Sequence, residues 1–238
     1  AALNYFTMPC IGLFFMVSEA LLLPVKMDYT AFLKRRLQKV VFPESLASIG
    51  RMAFYRCSGL KEVRLPAGTE QVGSLAFAGS GVRKAWISGS GRGYGSDLFG
   101  DCRRLGLLVL EEGLVHIPDK LAFGCTGLTR VILPGTLMSV GRHVWEETPY
   151  LDTCQGTENG PVFWDGRGME GEVRLPKHIR IVAGGAFYGN DRITAVYLPE
   201  GVIWIGAAAF KGCSKLTKVF VPSGMKKLEA EVFSGCRS

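Results

Sequence analysis

Apolar and polar residues alternate in short stretches that recur about every 23 residues along the chain. In one such stretch a charged residue separates Val63 from Leu65, and Pro66 follows. Alternation with a period of two predicts a strand with one buried face, and proline ends the strand because it has no N–H to donate. The predicted strands end at Phe42, Leu65, Ile87, Leu110, Leu133, Leu175, Leu198 and Val221.

Two further positions recur in phase with these strands. A bend position, often Gly, lies between the end of each strand and the first of them. The first position is aromatic: Phe54, Phe77, Phe99, Phe123, Trp145, Phe187, Phe210 and Phe233. The second carries a small side chain able to hydrogen-bond: Cys57, Ser80, Cys102, Cys125, Thr148, Asn190, Cys213 and Cys236. We expect the rings to pack inward and the small residues to satisfy backbone groups at a tight bend. One unit cannot bury its apolar face alone, so successive units must stack.

The combined pattern L-x-x-V-x-L-P, then V-G, then A-F-x-x-C resembles the BspA-like leucine-rich repeat family over residues 37–238, with one interruption. The resemblance implies an α/β to mainly-β repeat solenoid. Its expected form is a right-handed leucine-rich-repeat horseshoe with a concave parallel sheet and about 23 residues per turn. It also implies a role in adhesion or protein recognition, at a cell surface or outside the cell, and it supplies no catalytic residues.

Four segments are predicted. Residues 37–149 and 172–238 carry the repeats, and residues 150–171 form an insertion between turn signals, with Val162 to Trp164 as a strand of a short hairpin. Residues 1–36 are a divergent apolar segment that fits a degenerate repeat, a cap, or a membrane or targeting piece. Residues 3–25 approach the length needed to cross a bilayer, but Pro9, Glu19 and Pro24 interrupt them. We expect the chain to be a piece of a longer solenoid.

The net charge of +7 comes from basic residues that are scattered along the sequence, and only Lys34 to Arg36 form a run. A nucleic-acid footprint needs basic residues clustered on one face, so no nucleic-acid partner is predicted. Membrane contact is expected only if residues 3–25 form an anchor.

No constellation of residues points to catalysis, a metal or a cofactor. The three histidines share no spacing, and the chain has no G-x-S-x-G elbow. The repeat cysteines are predicted to be reduced, buried thiols, and a bond between Cys10 and Cys154 is left open. The Gly-rich stretch 89–96 lacks a phosphate-loop ending and is interpreted as structural. A remote alternative is an enzyme whose site lies on the insertion, with Asp152, Asp165 or His178.

Strand alternation predicts which side chains leave the core. The residue between the two inward positions of each strand belongs to an outward stripe that includes Val41 and, as candidate partner-binding residues, Arg64, Trp86, Val109, Ile132, Arg174, Tyr197 and Phe220. A contiguous apolar and aromatic stripe rimmed by charge is typical of a binding surface, although strands favour such residues on either face. The main hypothesis is a non-catalytic module that binds a protein or glycan, and the alternative is an architectural spacer.

Overall fold

The structure is a computed structural model that describes residues 36–154, 160–225 and 228–236. The apolar segment 3–25 and Cys10 lie outside the described residues. The chain divides into two compact units. Of the described residues, unit 1 comprises 36–114, 120–132 and 145–149, and unit 2 comprises 115–119, 133–144, 150–154, 160–225 and 228–236.

Unit 1 is built from two parallel sheets. Its main sheet, sheet A, has the order β2-β4-β6-β8, and a smaller sheet has the order β1-β3-β5. The strands of sheet A are β2 (Glu62–Arg64), β4 (Lys84–Ile87), β6 (Leu107–Leu110) and β8 (Arg130–Ile132). The smaller sheet contains β1 (Ser48–Ile49), β3 (Gln71–Val72) and β5 (Gly93–Tyr94).

Unit 2 has a main sheet, sheet B, with the order β11-β13-β15, and two smaller parallel sheets, β7-β9 and β10-β12-β14. Sheet B consists of β11 (Gly171–Arg174), β13 (Ile193–Tyr197) and β15 (Lys218–Phe220). The smaller sheets contain β7 (His116–Ile117), β9 (Ser139–Val140), β10 (Val162–Phe163), β12 (Ile181–Val182) and β14 (Trp204–Ile205). A short helix, α1 (Pro149–Thr153), begins at the last residue assigned to unit 1, and its other residues are assigned to unit 2.

The register shows that each strand of a main sheet lies one turn after the previous strand of that sheet, in a parallel-strand solenoid with about 23 residues per turn. In sheet B, Val173 pairs with Val196 and Val196 with Val219. In sheet A, Leu108 pairs with Val131. Equivalent residues of successive repeats are therefore hydrogen-bonded neighbours, as the repeat pattern predicts.

The aromatic position forms columns of stacked rings inside each unit. In unit 1, Phe54, Phe77 and Phe99 follow one another with ring centroids 5.2 and 5.3 Å apart. In unit 2 the column comprises Phe163, Phe187, Phe210 and Phe233, with centroids 5.0 to 5.5 Å apart. These columns confirm that the recurring rings share a core.

Phe123 departs from this arrangement, so its assignment to the aromatic position is wrong. The N–H of Phe77 donates to Leu98 and that of Phe99 to Leu121, which makes Ala122 the true equivalent of Phe99. Ala122 is fully buried, whereas Phe123 is half-buried beneath the Lys120 ammonium. In this turn alanine replaces the buried ring, and the phenylalanine comes one residue later in the sequence.

The cysteines act as predicted at most repeat positions. The thiols of Cys102, Cys125, Cys213 and Cys236 donate to the carbonyl of the aromatic residue one turn earlier, at 3.0 to 3.1 Å. Burial first, and then the neighbouring Cys236, raise the pKa of Cys213 to about 11, so its thiol keeps the donated proton at neutral pH. Cys57 differs from the prediction because it is disulfide-bonded. Cys154 carries a reduced thiol, so it forms no bond to Cys10.

The described part of the insertion does not form the predicted hairpin strand. Val162 and Phe163 pair in parallel with Ile181 and Val182, and the Phe163 ring joins the unit 2 column. Asn190 stabilises residues 166–169, which follow β10, because its side-chain amide donates to the carbonyls of Gly166 and Met169 at 2.9 and 2.8 Å. This part of the insertion thus belongs to the solenoid core.

The Gly-rich stretch 89–96 has the structural role expected of it. A Cβ on Gly91 would lie 2.3 Å from the Tyr94 ring, and a Cβ on Gly89 would lie 1.8 Å from the carbonyl oxygen of Glu112. The hydroxyl of Tyr94 donates to the Ser88 carbonyl at 2.6 Å. Glycine is therefore required here by close packing.

Candidate binding surfaces

The outward face of sheet A carries four of the predicted partner-binding residues side by side. Arg64 is paired with Trp86, Trp86 with Val109, and Val109 with Ile132. Their neighbours within each strand, such as Val63 and Ala85, are fully buried. Arg64 and Ile132 are exposed, and Trp86 and Val109 are half-buried, so the alternation places these four side chains outside the core.

Arg64 contacts residues of the next two turns on this face. Its guanidinium carbon lies 5.6 Å from the centre of the Trp86 ring, within the range of a cation–π contact. The same guanidinium forms a 3.4 Å ion pair with Glu111. Because the Arg64 side chain is 71% exposed, both contacts are screened by solvent and hold it loosely.

The outward face of sheet B is packed more tightly. The guanidinium of Arg174 lies 3.7 Å from the centre of the Tyr197 ring. Tyr197 in turn stacks on Phe220 with centroids 4.5 Å apart and planes 7° from parallel. The Tyr197 hydroxyl donates to Glu172 at 3.3 Å, and Phe220 is half exposed. Three successive turns therefore present one continuous cation–aromatic stack.

The structure brings the predicted residues together within each unit: Arg64, Trp86, Val109 and Ile132 on sheet A, and Arg174, Tyr197 and Phe220 on sheet B. Val41 precedes the first strand of the described chain and is 78% exposed. Two residues before it, the backbone of Lys39 forms an isolated parallel β-bridge with Glu62. Their role in binding a partner stays a prediction.

Sequence reasoning missed a cluster of cations where the strands of sheet A begin. We name it the basic flank, and it consists of Lys61, Arg83, Lys84, Arg103, Arg104 and Arg130. All six residues are exposed, and the N–H of Arg83 donates to the Lys61 carbonyl at 2.8 Å, which shows that these turns stack directly. The signal was present as basic residues spaced by roughly one repeat, but a search for runs of basic residues overlooks it.

The model of the BspA type leucine-rich repeat region matches the sequence over residues 25–152 and 169–238, in six copies. The chain belongs to this family. The match omits residues 153–168, which cover most of the predicted insertion. No curated protein sequence matches the chain.

Solved structures similar to this family member come from bacteria. A leucine-rich repeat protein from Bacteroides ovatus is 20% identical, with a TM-score of 0.42, and the match covers 87% of this chain and 73% of that one. The T. pallidum leucine-rich repeat protein is 23% identical (TM-score 0.34), with 79% and 70% covered. A leucine-rich cell surface protein from Faecalibacterium prausnitzii is 16% identical (TM-score 0.33), with 80% and 68% covered. With TM-scores below 0.5, these matches add nothing to the function of this member.

The acidic residues suggested for an enzyme site on the insertion lie in different environments. Asp165 is nearly buried, which raises the pKa of its carboxyl, but hydrogen bonds from Arg167 at 2.8 to 3.0 Å outweigh burial and leave that pKa below its ordinary value. Asp165 is thus an ionised carboxylate held by an ion pair. Asp152 lies on α1, and His178 lies between β11 and β12.

The described residues contain neither a cluster of metal ligands nor a membrane-spanning helix. Within residues 36–154, 160–225 and 228–236, no group of three or more His, Cys, Asp or Glu side chains is placed to hold a metal ion. In that same part of the chain, none of the helices has the length and apolar character needed to span a bilayer.

Proposed function

We propose that this chain is a non-catalytic binding module that recognises a protein through the outward faces of sheets A and B. The main support is the stack of Arg174, Tyr197 and Phe220, which is held in register by parallel strands and remains accessible to solvent. Aromatic residues and arginine dominate the binding energy of protein interfaces, and a preformed stack loses little side-chain entropy on binding.

Sheet A supports the same proposal with a different mixture of side chains. Ile132 is 43% exposed and lies next to Val109, while Trp86 lies beneath Arg64. A spacer would need these strands only for stacking, which the inward residues already provide. Exposed apolar side chains aligned over several strands are typical of an interaction surface. The cell-surface location implied by the family resemblance remains a prediction.

The experiment compares partner capture by the immobilised wild-type protein and by a Trp86→Ser, Tyr197→Ser variant. We expect the variant to capture at least about tenfold less partner than the wild type, since each interface aromatic can contribute about 2 kcal/mol or more to binding. Val115→Ser serves as the control, because Val115 is a 52% exposed apolar residue that lies outside both main sheets.

Thermal unfolding must show that all variants remain folded. Protease treatment of the sample before capture distinguishes a protein from a glycan partner, and capture that survives it would contradict the proposal. Equal capture by the Trp86/Tyr197 variant and the wild type would leave the architectural spacer as the better explanation.

A further inference from the structure

The basic flank of unit 1 carries charge that its surroundings do not neutralise. In the part of the chain that the structure describes, Arg83, Lys84, Arg103, Arg104 and Arg130 make no ion pair. The Lys61 ammonium donates to the neutral amide oxygen of Gln38, at 3.0 Å, which leaves its charge uncompensated by any ion pair among the described residues. Glu62 is the one acidic residue in the segments that lead into the four strands of sheet A.

This excess charge is a property of unit 1 and not of the repeat. The segments leading into the three strands of sheet B contain Arg192, Lys215 and Lys218, balanced by an equal number of acidic residues: Glu170, Glu172 and Asp191. One of these cations, Arg192, lies 3.8 Å from Glu170. The same backbone therefore accommodates a neutral surface, and the basic flank is not needed for folding.

Stacking concentrates the charge over a short distance. Adjacent strands are about 4.8 Å apart, so four turns extend over roughly 14 Å. The screening length at physiological salt is about 8 Å, which means that cations on adjacent turns repel one another. An anionic ligand that bridges several turns would remove this repulsion.

A cleft of about 790 Å³ opens beside the flank and shares Arg103 and Arg104 with it. Arg56 also lines the cleft, and its guanidinium carbon lies 5.1 Å from the Tyr55 ring centre. Two acidic residues, Asp97 and Asp101, complete the charged lining, and Leu75 and Ala78 add apolar surface. The cleft therefore offers positive, negative and apolar contacts within a small volume.

We propose that the basic flank and this cleft bind an acidic, mixed-sequence segment of a protein partner. Carboxylates pair with the arginines of the flank in bidentate geometry, while amide, basic or apolar groups of the same segment enter the cleft. A uniformly charged polymer, such as a sulfated glycan or a nucleic-acid backbone, would place anions against Asp97 and Asp101. This inference rests on the proposed binding function and specifies the chemistry of the partner on unit 1.

The test uses a fluorescein-labelled peptide that repeats Glu-Leu-Asp-Asn, followed by fluorescence anisotropy on the whole chain. We expect saturable binding that weakens as salt increases, and a loss of affinity of at least about tenfold in an Arg83→Glu, Arg104→Glu variant. The matched control is Lys215→Glu, Lys218→Glu on unit 2, which changes the net charge equally and should alter the affinity less than about twofold.

Three outcomes would overturn the proposal. The peptide fails to bind the wild type, the two charge-reversed variants lose affinity equally, or heparin binds more tightly than the peptide with the same dependence on Arg83 and Arg104. The variant Trp86→Ser, Tyr197→Ser is assayed for partner capture in parallel. If partner capture depends on Trp86 and Tyr197 but the wild type does not bind the peptide, only the proposal for the basic flank is refuted. If the wild type binds the peptide but partner capture does not depend on these aromatics, only the proposal for the sheet faces is refuted.

Discussion

Units 1 and 2 are built from one repeat but present different surfaces. In unit 1 the segments leading into the main sheet form an exposed basic flank, whereas the matching segments of unit 2 balance cations with acids. On the sheet faces, Arg174 lies 3.7 Å from the Tyr197 ring, but Arg64 lies 5.6 Å from the Trp86 ring. Stacking constrains the inward positions of each turn and leaves the outward positions to vary, so one scaffold presents two chemically different surfaces.

The interiors of the two units differ as well. The ring column of unit 1 stops at Phe99, since Ala122 occupies the next position, whereas the column of unit 2 runs through four rings to Phe233. Two residues after the ring, unit 1 places Arg56 and Asp101 in the left-handed region at φ of 57° and 56°, where unit 2 has glycines. Unit 1 therefore departs from the repeat in its core at Ala122 and on its surface at Arg56 and Asp101.

The largest expected effect separates a ring inside the column from one outside it. Phe77→Ala should lower the free energy of unfolding by about 3–5 kcal/mol, because Phe77 is fully buried between two rings. Phe123→Ala should cost about 1 kcal/mol or less, since that ring is half-buried and contacts a lysine. Urea denaturation measures both changes in the free energy of unfolding, and equal losses would show that the Phe123 ring contributes to the core as much as the Phe77 ring.

An intermediate effect is expected at the left-handed position of unit 2. Gly189 has φ of 68° and a Cβ there would meet nothing within 4 Å, so Gly189→Ala isolates backbone strain of about 1–2 kcal/mol. Gly168→Ala is the control, because a Cβ is equally unobstructed there and its φ is not in the left-handed region. If denaturation midpoints of the two variants coincide, strain does not distinguish these positions.

The smallest expected effect compares the two sheet faces. Arg174→Met keeps an unbranched side chain over Tyr197 but removes the cation, and should cost about 0.5–1 kcal/mol. Arg64→Met should cost less than about 0.5 kcal/mol, since its ring contact is longer and its ion pair with Glu111 is exposed. A larger loss at Arg64 than at Arg174 in chemical denaturation would reverse the ranking of the two faces.

Much of the fold follows directly from the repeat pattern. Alternation around Val63 and Leu65 located a strand of sheet A, and the recurring cysteines were correctly expected to satisfy backbone groups. These predictions succeed because stacking makes each turn the environment of the next, so one local pattern fixes a contact many residues away. The exceptions, such as Phe123, arise where neighbouring residues can exchange roles without changing the length of the turn.

Some features depended on which turns become neighbours. Val162 and Phe163 lie between two turn signals, which suggests a hairpin, yet they pair in parallel with β12. Strand pairing depends on partners that are distant in sequence, and local turn signals do not specify them. The left-handed φ at Arg56 and Asp101 had no local signal either, although the glycines at the equivalent positions of unit 2 provided one.

The sequence by itself determined that the chain is a stacked repeat, which residues face inward, and which outward side chains stand next to one another along each sheet. Only the tertiary structure showed that basic residues separated by whole repeats converge into one flank beside a cleft. The physical reason is that burial requires apolar residues at regular intervals, which the sequence shows directly. Surface charges act through space, so their clustering depends on how turns that are distant in sequence pack together.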